Sequence, residues 1–152
     1  MIICTVGRRA STAQGRALLS IWERSFAGSV PESPASATLG AFAQSVKRGD
    51  APGHLSPTFG TVCRAVGMER SNMAYLLVMG HVKALVSAAV RAGVMGPFKA
   101  QTVLGSEDVR RMVREAVARE WESTVEDAGQ TVPVMDLWIG RHEILYSRIF
   151  NS

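Results

Sequence analysis

"MAYLLVMGHVKALVSAAV", Met73 to Val90, is apolar on nearly every side when wound as a helix. Tyr75, Met79, Val82, Val86 and Ala89 make one stripe, and Leu77, Ala84 and Ala88 occupy the opposite one. The length would suit a membrane span, but His81 and Lys83 fall at its centre, where a lysine costs about 2.5–3.5 kcal/mol on insertion. The stretch therefore reads as the middle helix of a bundle, capped by Ser71 and covered all round, with no membrane implied. No segment alternates apolar and polar residues long enough to specify a strand. The expected fold class is all-α, a single-domain helical bundle over residues 1–152 with a C-terminal tail helix.

Helices are expected on both sides of this one. The first runs from about Val6 to Ala27 and carries Ala10, Ala13, Ala17, Ile21 and Trp22 inward. "GSVPESPASAT", Gly28 to Thr38, holds prolines at 31 and 34 and reads as a loop before a short helix from Leu39 to Arg48. Ser56 and Pro57 have the form of an N-cap and first helical residue, and Gly67 that of a C-terminal stop. Between them Phe59, Val62, Cys63 and Val66 share a side, with Cys63 a packed thiol. Arg91 sits where the negative pole of the middle helix favours it. A helix from Pro97 to Leu104 leads to Ser106, the N-cap of a last long helix from Glu107 to Ala128. That helix buries Val109, Val113, Ala116, Val117, Trp121 and Val125.

The composition excludes several functions. Two cysteines, Cys4 and Cys63, lie far apart without a CxxC spacing, which points to a reduced, cytoplasmic protein. The net charge of +4 invites nucleic acid, but arginine outnumbers lysine 14 to 3, and in "EDVRRMVREAVAREWESTVED" the arginines alternate with carboxylates as on a solvated face. Nucleic acid is therefore not an expected partner; arginine suits bidentate protein contacts better. The chain has no phosphate loop, dinucleotide fingerprint, HExxH helix or nucleophile elbow, and reads as no enzyme. His54, His81 and His142 are isolated in sequence, so no catalytic, cofactor or metal site is assigned.

The tail poses a different question. Proline at 133 separates residues 133–152 from the last long helix. On a helical projection Trp138, Ile139, His142, Leu145, Tyr146, Ile149 and Phe150 fall within an arc of about 140°, with Leu137, Arg141, Ile144 and Arg148 opposite. Two apolar faces require two covers. One is the chain's own bundle; the other is either more of that bundle or a partner groove that takes aromatic and arginine anchors.

Four blocks, "RASTAQGRALL", "GHLSPTFGTVCRAVG", "YLLVMGHVKALVSAAVRAGVMGPFKAQTVL" and "RHEILYSRIFNS", together resemble the UreF family of urease accessory proteins, in that order and over Arg9 to Ser152. The resemblance implies an all-helical cytosolic scaffold and GTPase regulator without catalysis of its own. It implies dimerisation, binding of the UreD (UreH) accessory protein and recruitment of the UreG GTPase, so that nickel reaches apo-urease. The closing block matches the tail associated with complex assembly, which carries Arg141, His142, Glu143, Leu145, Tyr146, Ser147, Arg148 and Phe150 over as partner-binding residues. Tyr75 and Arg91 match too, with packing and helix-end roles beside any partner role. Ile149 and Asn151 depart from the leucine and arginine that are more usual. The glycine-rich "P-x-G-x-F-x-x-S" type stretch that family members carry before the first block has no counterpart, so the chain looks like the C-terminal two-thirds of a family member, or a truncated form without function. A nickel-binding chaperone using Cys4, His54, Cys63 or His142 is the alternative.

Overall fold

The computed structural model describes residues 4–127, 134 and 141–144. Among these residues every regular element is a helix, as the absence of strand periodicity predicts. In chain order they are α1 (Thr5–Ile21), a π-helical turn (Trp22–Phe26), α2 (Pro34–Arg48), α3 (Leu55–Ala65), α4 (Arg70–Arg91), α5 (Pro97–Leu104), α6 (Glu107–Arg119) and a 3₁₀ turn (His142–Ile144). The chain falls into two compact units, Met1–Met73 with Val134–Ile144, and Ala74–Pro133 with Leu145–Ser152.

In the first unit α3 packs on both α1 and α2. Leu19, Trp22, Leu39, Ala43, Val46 and Ala65 form the core, with Val30, Phe42, Ala51 and Val62 packed around it. The inward face of α1 is not the alanine face expected from sequence. Ala10, Ala13, Ala17 and Ile21 are exposed; Trp22 is buried as expected, and Gly15 and Leu19 are buried in place of the others. The reason is close approach: a Cβ on Gly15 would stand 2.1 Å from the carbonyl oxygen of Gly53. Only glycine lets the α1 backbone lie against the start of α3.

Local chemistry moves two other boundaries. Helix α2 starts five residues before the expected Leu39, because Ser33 and Ser36 form a reciprocal capping box and Pro34 takes the first turn. The Ser36 amide donates to Ser33 Oγ at 3.1 Å, and the Ser33 amide to Ser36 Oγ at 2.9 Å. Helix α3 starts at Leu55, with His54 rather than Ser56 in the N-cap position. Its first amide donates to Ser11 Oγ of α1 at 3.2 Å, so the cap comes from a neighbouring helix. Gly67, at φ +79°, ends α3 as expected: the Met68 amide reaches back to the Cys63 carbonyl at 2.9 Å. Cys63 is buried, and burial pushes its thiol above the ordinary range, but Val66 on the expected apolar side is exposed.

Helix α4, which starts in the first unit, and the helices that follow it in the second depart most from expectation. Ser71 lies inside α4 rather than capping it, since the Met73 amide already bonds to Glu69 O. Along α4 Val86 is buried and Tyr75, Met79, Val82 and Ala89 are half-buried, so the first stripe is covered only in part. The helix is not covered all round: Leu85 is 71% exposed. By length and composition α4 could cross a membrane. Helix α5 has the predicted bounds, and Ser106 caps α6 through the Val109 amide at 3.3 Å. Helix α6 ends at Arg119 rather than Ala128, which leaves Val125 exposed. A local alternative takes over there, as Thr124 and Asp127 bond reciprocally through side chain and amide.

Candidate functional site

Of the tail residues singled out by sequence, Arg141, His142 and Glu143 are described, and Leu145, Tyr146, Ser147, Arg148 and Phe150 lie outside the described residues, as do Trp138 and Ile139. Arg141 to Ile144 close a single 3₁₀ turn through the Ile144 amide and Arg141 carbonyl at 3.1 Å, a tighter pitch than the projected α-helix. This turn lies against the start of α1.

Three residues of α1 and its cap hold it. Glu143 Oε1 accepts from Arg9 Nη1 at 2.6 Å, and Oε2 accepts from Thr5 Oγ1 at 3.0 Å. Beside them Cys4 Sγ and His142 Nδ1 stand 3.2 Å apart, while Cys4 Sγ also accepts from the Gly7 amide at 3.3 Å and so caps α1. The Arg9 hydrogen bond, the Thr5 hydroxyl and the Arg9 charge hold the Glu143 carboxyl below its ordinary value. The clasp is exposed, with the ion-paired side chains 65% and 47% accessible, so it orients the turn rather than anchoring the fold. Ile144, 78% exposed, points its apolar side chain at solvent.

The first and last of the four sequence blocks therefore meet. Sequence reading placed His142 and Glu143 toward a partner, whereas here both are engaged by the same chain. Thr5 and Arg9 were missed as members of the site, because their partners lie 138 and 134 positions away. The first and second blocks meet as well: His54 Nδ1 lies 3.2 Å from Ser11 Oγ, and Gly15 packs on Gly53 and His54. His81 Nδ1 bonds to Leu77 O on its own helix at 2.9 Å. Among the described residues no three His, Cys, Asp or Glu side chains converge as a metal-holding group. Tyr75 is half-buried on α4, and Arg91 lies in its last turn, beside a cavity of about 250 Å³ between α4 and α5.

On α6 the arginines are paired along the helix. Arg111 spans Asp108 at 2.9 Å and Glu115 at 3.3 Å, and both Arg110 and Arg114 reach Glu107. The hydrogen bond and charge of Arg114 hold the Glu107 carboxyl below its ordinary range. This is the mixed-sign face that the spacing predicts.

The sequence matches the family described as UreF over residues 3–106. It is 36% identical over 149 residues to "Uncharacterized urease accessory protein UreF-like" of Schizosaccharomyces pombe, covering 98% of this chain and 63% of that protein. Identity to "Urease accessory protein 6" of Cryptococcus neoformans is 26% over 190 residues, and to "Urease accessory protein F" of rice (Oryza sativa subsp. japonica) 33% over 156, each covering 99% of this chain. These alignments take in the tail, which the family match stops short of. The chain spans 60% of the Cryptococcus protein and 54% of the rice protein. No solved structure matches. The family match covers more than half the chain, and its span includes α1 to α5 and the glycine-mediated approach of α1 to α3; the chain belongs to the UreF family.

Proposed function

We propose that this chain is a urease maturation factor: a scaffold without catalysis of its own that binds a UreD/UreH-type accessory protein and recruits a UreG-type GTPase, so that nickel is delivered to apo-urease. It works in the cytoplasm, as a homodimer, and takes neither nucleic acid nor membrane as a partner. Family membership supports the maturation role. The observation that supports a docking role for the tail is the clasp, in which Arg9, Thr5 and Cys4 orient the turn that opens the closing block.

The test is co-purification of the full chain, and of a version ending at Gly140, with the UreD-type protein and then the GTPase. The full chain is expected to capture both and the truncation neither. Equal capture by the two would remove the tail from the interface. Replacing Tyr146 and Arg148 together should abolish capture while helicity by circular dichroism is unchanged.

A second reading, a nickel-binding chaperone, draws on the Cys4 and His142 pair at 3.2 Å, two side chains suited to a borderline metal. Equilibrium dialysis decides it: stoichiometric nickel uptake lost in Cys4→Ser and His142→Ala supports the reading, and no uptake ends it.

A further inference from the structure

The first unit carries a second, separate feature that the scaffold reading does not use. A cleft of about 560 Å³ opens between the end of α1 with its π-helical turn and the end of α2. Its floor is core: Leu19, Ala43 and Val46 are all buried. Its rim is basic, with Arg16, Arg24, Lys47 and Arg48 set against one carboxylate, Glu23. Lys47 is committed to Glu23 at 2.7 Å and Arg48 to Asp50 at 2.8 Å. Arg16 and Arg24 have no ion pair among the described residues, in contrast to the carboxylate-paired arginines of α6. The negative pole of α2 faces this end, and Lys47 and Arg48 in its last turn offset it.

We infer that this cleft docks an acidic peptide segment of a protein partner, with carboxylates on Arg16 and Arg24 and an apolar side chain over Leu19 and Val46. Guanidinium forks pair with carboxylates bidentately, and an apolar floor between two of them selects a segment that alternates acidic and apolar side chains. A phosphodiester strand would instead need a continuous track of unpaired cations. This site shares no residue with the tail clasp.

The probe is a short fluorescein-labelled peptide of alternating glutamate and leucine, titrated against the full chain by fluorescence anisotropy. Saturable binding is expected, weakening as salt is raised. Arg16→Gln with Arg24→Gln should lower the affinity about ten-fold, whereas Arg110→Gln with Arg119→Gln, an equal loss of charge, should change it by less than about two-fold. Arg16→Lys with Arg24→Lys keeps the charge, loses the fork, and should fall between the two. Both altered arginines are exposed, and circular dichroism of each variant is the check that its helices are kept. The inference is overturned by no saturable binding to the unaltered chain, by equal weakening in the Arg16/Arg24 and Arg110/Arg119 variants, or by oligothymidylate binding more tightly than the peptide and being lost with Arg16 and Arg24.

Discussion

Gly15 is the residue on which the packing of the first unit turns. A methyl group there would meet backbone, the Gly53 carbonyl oxygen at 2.1 Å and the His54 carbonyl carbon at 2.8 Å, and neither can rotate away as a side chain could. Gly15→Ala gains helix propensity of about 1 kcal/mol, yet overpacking of this kind costs about 1–3 kcal/mol and more where backbone must shift. A net loss of stability is therefore expected in urea denaturation, and a gain would mean that α1 lies elsewhere. Glu143 offers a pH-dependent counterpart. Its carboxyl is held down by Arg9 and Thr5, so the folded value lies below the ordinary 4.5. Its stabilisation of the clasp is complete above that ordinary value and lost as pH falls through the lowered one. Protection of the Arg141 to Ile144 amides, taken relative to their intrinsic exchange rate at each pH, should fall across that acid window, and Glu143→Gln should remove the dependence. Neither residue's role could be read from sequence: glycine in a helix looks like a weakness, and a lone glutamate like a solvated charge.

At the scale of elements, what was legible followed from local chemistry. The proline at the start of α5, Ser106 before α6 and Gly67 after α3 each act within one turn, and each marks its boundary as expected. Pro34 misled because a proline is both a breaker and a favoured first-turn residue; Ser33 and Ser36 around it decide for the helix. Replacing Ser33 with Ala should cost about 0.5–2 kcal/mol and fray the first turn of α2, visible as lost helicity and faster exchange at Ala35 to Ala37. The early end of α6 was not legible, because Trp121 to Val125 continue its apolar spacing while Thr124 and Asp127 bond each other locally. The α1 face was misjudged for a non-local reason: alanines accept burial or exposure alike, and the approach at Gly15 determines which side turns inward.

For the whole molecule, the all-α class was legible because helical periodicity runs throughout, but the cover over α4 was not, since it depends on which neighbours are present. Leu85, Val94 and Phe98 are 71%, 74% and 88% exposed, an apolar surface of a kind that drives association. The isolated chain should therefore sediment above monomer mass at micromolar concentration, and Leu85→Glu with Phe98→Glu should shift it toward monomer; a monomer in both cases would leave that surface without a role in assembly. The contacts of His142 and Glu143 with the start of α1 were hidden by sequence distance. The burial of Trp22, only 4% accessible, brings an optical consequence. Trp121 belongs to the other unit, so a chain with Trp121 and Trp138 replaced by Phe would emit from the α1–α2 core alone. Its emission should move from blue to red as that core opens. Comparing this transition with the loss of total ellipticity would tell whether the two units melt as one cooperative body or in succession.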